Sequence, residues 1–207
     1  MTDDEDIRRA ATAIRNGDLV VYPTETVYGL AADALSEDAV KRVFDAKRRA
    51  RDKPVSLAVP DVDAALELVR ATDREERFMR EFLPGPVTVL CAKTDEVPDA
   101  LTGGRDRVGV RVPDNEVALV LLREVAPITS TSANVSGRPS ATATADLDPE
   151  IRDAAAVVLD GGETGQGTGG TGSTVVNVET GEIHRRGSNA DAVADWLADE
   201  TDDSQPQ

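Results

Sequence analysis

The period of the apolar residues changes repeatedly along this chain, and that limits the fold more than any other feature. Residues 4–16 carry Ile7, Ala10, Ala11 and Ile14 at helical spacing, and Asn16-Gly17 is a good helix stop. Leu19-Val20-Val21-Tyr22 follows as a short buried strand. Ser36 starts a helix with Glu37 and Asp38 in its first turn, where negative charge suits the dipole, and Val40, Val43 and Phe44 form its apolar stripe. Residues 55–59 read as a strand and 61–71 as a helix. Thr72-Asp73-Arg74-Glu75 is a capping box opening another helix, which Pro84-Gly85-Pro86 ends. Further strands are expected at 87–92 and 108–112, then a helix capped by Asp114 and running to Val125. Residues 128–131 form a strand end, 157–159 and 174–178 are β-branched strands, and 182–186 returns after a turn at Glu179-Thr180-Gly181. A last helix is expected over 189–197. Strands and helices alternate early, whereas the later strands lie close together, so the pattern predicts one α/β domain on a mixed parallel/antiparallel sheet with flanking helices.

Composition narrows the setting. No apolar run approaches the roughly 20 residues a membrane span needs, and the acidic start MTDDEDIRRA lacks the apolar core of a secretory signal. A single cysteine, Cys91, excludes an internal disulfide and a cysteine-rich metal site, which fits a reducing cytoplasm. Cys91 falls in an apolar strand pattern and reads as a small core residue. With His184 the only histidine, a Ser-His-Asp triad or a histidine-rich zinc site is not expected. Any catalysis must use cations, hydroxyls and backbone amides. The net charge of -16 argues against strong independent binding to nucleic acid, which usually needs a basic exterior.

Four segments carry the chemistry. Tyr22 to Gly29, YPTETVYG, is a strand exit whose Thr24 and Thr26 can read a small polar ligand or can cap the strand end locally. From Lys41 to Lys53, seven of the 23 basic residues fall within 13 positions. Such concentration suits a polyphosphate, although part of it also suits a helix C-terminus. Residues 129–136 hold five hydroxyls and the amide of Asn134, a set able to fix adenine, ribose or phosphate oxygens, or a polar loop of Ser/Thr turns. Seven of the twelve residues 161–172 are glycine. They match no phosphate-binding fingerprint, and strands on both sides suggest a mobile lid over a linker.

Together these segments resemble the YrdC family of threonylcarbamoyl-adenylate synthases. The matching order is YPTETVYGL, K-x-R with KP following, PGPVT, VGVRVP, STSANVSG-x-P and GSTVV, over about residues 7–187. The resemblance implies a twisted YrdC-like fold with a concave cationic cavity, a catalytic domain over 1–187, and a C-terminal helix with an acidic disordered tail over 188–207. It implies that Lys47 and Arg49 hold the triphosphate of ATP, with Lys53 and Arg185 also in that site, and that Ser132 and Asn134 help bind the nucleotide. Thr24, Arg111 and Ser173 would hold L-threonine, with Arg111 facing its carboxylate. Bicarbonate would be the third substrate, Mg²⁺ would accompany ATP, and a tRNA-modifying transferase complex would take the product. One departure is visible: family members often carry a histidine in the strand after Lys-Pro, where this chain has Leu57-Ala58. The length suits the minimal synthase without a further domain. Two alternatives stay open, a non-catalytic RNA-binding module of the same fold and a carbamoyl-adenylating enzyme.

The acidic balance carries its own expectation. There are 19 arginines against 4 lysines, 3% aromatics and a charge of -16, a pattern like that of proteins from salt-loving archaea. Unscreened self-repulsion destabilises a compact chain, and salt relieves it. The melting temperature should therefore rise between dilute buffer and molar potassium chloride; a midpoint that does not move with salt contradicts the halophilic reading.

Overall fold

Side-chain caps fix where the helices begin in the computed structural model, which describes residues 2–202. Asp3 accepts the amides of Glu5 and Asp6 and closes a capping box with Asp6, starting α1 (Asp4–Arg15), which ends before Gly17 at φ +83°. Strands β1 (Leu19–Tyr22) and β2 (Gly29–Ala31) pair antiparallel. Ser36 caps α2 (Glu37–Ala46) as its sequence indicates. Then come β3 (Ser56–Ala58), α3 (Val62–Leu68) and the two-residue β4 (Val69–Arg70). The capping box of Thr72 and Glu75 opens α4 (Asp73–Phe82). β5 (Val87–Lys93), α5 (Asp99–Thr102), β6 (Arg107–Arg111) and α6 (Glu116–Glu124) follow. β7 (Ile128–Ser130), α7 (Pro149–Ala154), β8 (Ala155–Val158), β9 (Thr174–Asn177), β10 (Glu182–Arg185) and α8 (Ala190–Asp202) complete the chain.

Several boundaries differ from the sequence reading, each for a local reason. The helix expected over 61–71 stops at Leu68 because Val69 and Arg70 pair with Lys93 and Ala92 of β5. The cap of α6 is Asn115, not Asp114: its side-chain oxygen accepts the Ala118 amide at 3.1 Å. β2, α5 and α7 are additions, all too short for periodicity to reveal. The last helix runs to Asp202, past the expected end at Leu197; of the tail expected to be disordered, residues 203–207 lie outside the described residues.

Two sheets result, β2-β1-β8 and a seven-stranded one ordered β10-β9-β5-β6-β3-β7, with β4 on β5. The pairs β1/β8, β3/β6 and β5/β9 are parallel and the rest antiparallel, so the sheet is mixed as expected. Backbone bonds from Leu30 to Thr131 and from Thr129 to Ala32, both 2.8 Å, carry the first sheet across to the second. Alternation along the strands gives the large sheet two chemically different faces. Val87, Val89, Cys91, Val108, Val110, Leu57 and Val176 pack on one side against Phe78 and Met79 of α4 and Val193 and Leu197 of α8. On the other side Thr88, Leu90, Arg107, Gly109, Arg111, Val175 and Asn177 line a cavity. A second core, under α1 and α6, buries Ile14, Val20, Leu121 and Ile128. Cys91 is fully buried, as a small core residue, and burial pushes its thiol far up. No helix among the described residues is long and apolar enough to cross a membrane.

Phe78 anchors the main core. It is fully buried, stacks on Phe82 at 4.5 Å between centroids and meets Trp196 edge-on at 4.9 Å. Phe78→Ala should therefore cost about 3–5 kcal/mol, read as a fall in the urea unfolding midpoint with an unchanged slope.

Candidate active site

The polar face of the large sheet, together with the exits of β1 and β7, encloses a cavity of about 760 Å³. Its lining includes five arginines, Arg49, Arg105, Arg107, Arg111 and Arg185, against the single carboxylate of Asp106. Two close approaches shape it. A Cβ on Gly109 would lie 2.3 Å from Ser56 Oγ, and one on Gly29 would lie 2.6 Å from the Tyr22 ring, so side chains there would fill the space.

Thr24 caps the strand end locally and also faces the cavity. Its Oγ1 donates to the Val27 carbonyl at 2.6 Å, closing the turn after β1, and lies 3.0 Å from Thr26 Oγ1 in the cavity wall. Arg111, on β6, aims one terminal nitrogen at this turn, with Thr26 Oγ1 at 2.7 Å, Thr24 Oγ1 at 3.5 Å and the Glu25 carboxylate at 2.9 Å. Arg111 Nε and Glu25 Oε2 are buried with no hydrogen-bond partner.

A second cluster sits beside the first. Ser173, buried at the head of β9, bonds Thr88 of β5 at 2.7 Å. Arg185 donates from Nε to the Ser173 carbonyl at 2.8 Å and from a terminal nitrogen to Ser173 Oγ at 2.9 Å. Desolvation of the Arg185 guanidinium, and then the charges of Arg111 and Arg49, lower its proton affinity. That mutual repulsion marks a cavity short of anions. Arg49 is held on the loop after α2 by the carbonyls of Lys53 at 3.1 Å and Pro54 at 2.9 Å.

Of the nine residues assigned by resemblance, Thr24, Arg49, Arg111, Ser132, Ser173 and Arg185 line this cavity. Lys47, Asn134 and Lys53 do not. Lys53 is exposed and contributes its carbonyl to Arg49. Lys47 is only 2% exposed: its ammonium binds the Ser132 carbonyl, the Asn134 carbonyl at 2.8 Å and Asn134 Oδ1 at 3.4 Å. Asn134 is turned the other way, donating to the Val135 carbonyl at 3.0 Å and the Arg138 carbonyl at 2.6 Å. Lys47 therefore ties the basic loop to the hydroxyl-rich loop from behind the wall, where the sequence reading had its charge serve a phosphate directly. Leu57 and Ala58 are both fully buried off the cavity; on β3 it is Ser56 that reaches the lining. The glycine-rich segment packs on the β1 exit, with Thr164 and Gly165 amides bonded to the Thr142 and Glu25 carbonyls. Five of its glycines have positive φ, and only Gly172 reaches the cavity.

Sequence reasoning missed Arg105, Asp106, Arg107 and His184. Arg107 could have been found, since Arg107, Gly109 and Arg111 share one face by simple alternation. It is held by the buried Glu75 carboxylate, by Glu179 at 2.6 Å and by the Leu90 carbonyl at 2.7 Å. His184 had no such signal, because consecutive residues of a regular strand face opposite ways.

A mixed α/β sheet presenting arginines and hydroxyls to one concavity has the chemistry to accept small anions. The Sua5/YciO/YrdC family model, described as telomere recombination, matches residues 12–187, and the chain belongs to that family. It is 43% identical over 160 residues to the threonylcarbamoyl-AMP synthase of Pyrococcus abyssi, covering 76% of this chain and 47% of that one. It is 38% identical over 173 residues to the threonylcarbamoyl-AMP synthase of Bacillus subtilis, covering 82% and 50%. The chain thus spans about half the length of these relatives. The crystal structure of P. abyssi Sua5 complexed with L-threonine superposes with a TM-score of 0.81 at 38% identity, over 90% of this chain and 55% of that one.

The buried Lys47 has a measurable signature. Burial, then the charge of Arg49, lowers its affinity for a proton from the ordinary 10.5 to about 8, against the opposing pull of Asp148. Between those values the unfolded chain holds more protons than the folded one, so this residue makes stability rise with pH across that window. Lys47→Met should abolish the rise and, by orphaning the oxygens at 132 and 134, cost about 1–3 kcal/mol at neutral pH. Chemical denaturation over a pH series checks both; an unchanged midpoint and slope contradict the tie.

Proposed function

We propose that the protein makes threonylcarbamoyl-adenylate and diphosphate from ATP, L-threonine and bicarbonate, supplying the activated group that a transferase complex attaches to adenosine in transfer RNA. The observation that carries this reading is the meeting of two clusters in one cavity, Arg111 with Thr24 and Thr26, and Arg185 with Ser173 and Thr88. An amino acid needs a guanidinium for its carboxylate and hydroxyls for its other polar atoms. A polyphosphate needs several guanidiniums within reach of each other. The names of the relatives, and the threonine in the P. abyssi complex, support the same substrates.

In this reading threonine's amine takes up bicarbonate to give a carbamate, whose oxygen attacks the α-phosphorus of ATP and expels diphosphate. Charge grows on phosphate oxygens, so the protein contributes alignment and electrostatic stabilisation, and no side-chain nucleophile is needed. Arg49 and Arg185 face the phosphates. Ser132 contacts the nucleotide, on a loop that Lys47 and Asn134 hold in place. Thr24, Arg111 and Ser173 position threonine. Magnesium enters as part of the ATP substrate.

Diphosphate release with each substrate omitted in turn tests the assignment. Turnover should require threonine and bicarbonate together, and Arg49→Ala should lower it by about 10²–10³ while circular dichroism stays unchanged. Equal release without threonine overturns the reading. Release with carbamoyl phosphate in place of threonine and bicarbonate points to the carbamoyl-adenylating alternative, and salt-sensitive RNA affinity with no turnover points to the RNA module.

A further inference from the structure

We propose that His184 is the proton acceptor that frees threonine's amine for carboxylation, a role that rests on the synthase reading above. His184 is the only imidazole in the chain, and it lines the cavity next to Arg185. Two consecutive strand residues normally face opposite sides. Here the register between β10 and β9 slips: Ile183 opposes Val176 and Arg185 opposes Val175, leaving His184 as the extra residue of a bulge. A bulge re-aims a side chain at a local cost in pairing. This one turns both the imidazole and the guanidinium toward the same space.

The surroundings suit a base. Glu182 Oε1 lies 3.4 Å from His184 Nδ1. A carboxylate on one ring nitrogen favours the tautomer whose other nitrogen accepts. Arg185 is adjacent to it, the neutral Asn177 lies on the paired strand β9, and Arg49, Arg105, Arg107, Arg111 and Asp106 are the other charged residues of the cavity lining. Arginine does not release its proton, and an ordinary carboxylate is too weak a base to take one from an ammonium. Lys47 lies behind the wall, and burial raises the Tyr22 phenol.

The reaction needs such a group. Threonine enters as an ammonium, which has no lone pair. His184 Nε2 takes one of its three protons. The freed lone pair forms the N–C bond to the bicarbonate carbon, and the C–OH bond breaks. The hydroxide leaves as water with a second amine proton, while the third stays on the carbamate nitrogen. One imidazolium, one carbamate and one water balance the ammonium, the imidazole and the bicarbonate. The His184 side chain is 40% exposed, so its proton can pass to solvent before the next turnover.

Two measurements test the role. Diphosphate release is followed from about pH 5.5 to 8.5 in wild type, His184→Gln and Glu182→Gln. Wild-type rates should fall on the acid side as the imidazole protonates. His184→Gln should be slower by about 10²-fold and lose that limb, and Glu182→Gln, which removes the partner that orients the ring, should slow turnover by a smaller factor. Separately, the single imidazole gives one assignable NMR titration curve, which L-threonine should displace. A His184→Gln enzyme that keeps the wild-type acid limb, or an imidazole titration indifferent to threonine, overturns the role. Wild-type protein that releases no diphosphate with threonine and bicarbonate present strikes instead at the synthase reading.

Discussion

A β-sheet that must be apolar on one face and cationic on the other is the constraint on which this structure depends. Strands β5, β6 and β9 each alternate between residues that pack in the core of Phe78 and Met79 and residues that face the cavity. A slip of one residue in β6 would exchange Val108 and Val110 for Arg107 and Arg111, placing guanidiniums in the core. The hydrophobic core therefore fixes the register of the site. Where the large sheet departs from strict alternation, at the bulge of its edge strand β10, it does so at the cavity rim, where pairing is cheapest to disturb.

The electrostatics follow from the same division. Five arginines converge in a chain whose net charge is -16, so cationic density is concentrated inside an anionic exterior. Internal carboxylates and carbonyls hold these arginines in place. Arg111 leans on Glu25 and Arg107 on Glu75 and Glu179, while Arg49 relies on main-chain oxygens and Arg185 on the carbonyl and hydroxyl of Ser173. The last two thus keep the least-compensated charge, and each has its proton affinity lowered by burial. The positions with unspent charge are where an anion gains most.

Much of this was legible in the sequence because it is local. Caps at Ser36 and Thr72, the stop at Gly17 and the β-branched runs depend on neighbours a few residues away, and they stand where read. The motif residues Thr24, Arg111, Ser173 and Arg185, distant in sequence, do meet. What was hidden needs a partner strand to exist. Val69-Arg70 leaves the helix only because β5 offers an edge, and His184 faces the cavity only because β9 and β10 fall out of register. The depth of Lys47 was equally invisible. A cation in a basic run reads as exposed until a distant loop is seen to surround it.

That depth explains why the residue is a lysine. The loop at 132–134 turns sharply, with the Asn134 amide on the Ser132 carbonyl at 3.0 Å, and it directs the carbonyls of both residues inward. A buried carbonyl without a donor is costly, and a hydrocarbon at position 47 would leave that of Asn134 so. An ammonium offers three donors on one atom, reaching two carbonyls and the Asn134 side chain from a single point. Arginine's planar fork spreads its donors over a wider front and would not converge in this way. The Lys47 carbonyl in turn accepts the Ser136 amide at 2.9 Å, so backbone and side chain grip the same loop at both ends. The basic loop and the hydroxyl-rich loop are thereby one mechanical unit. Displacing either would move Arg49 and Ser132 together, and their spacing across the cavity is a property of the fold before any ligand arrives.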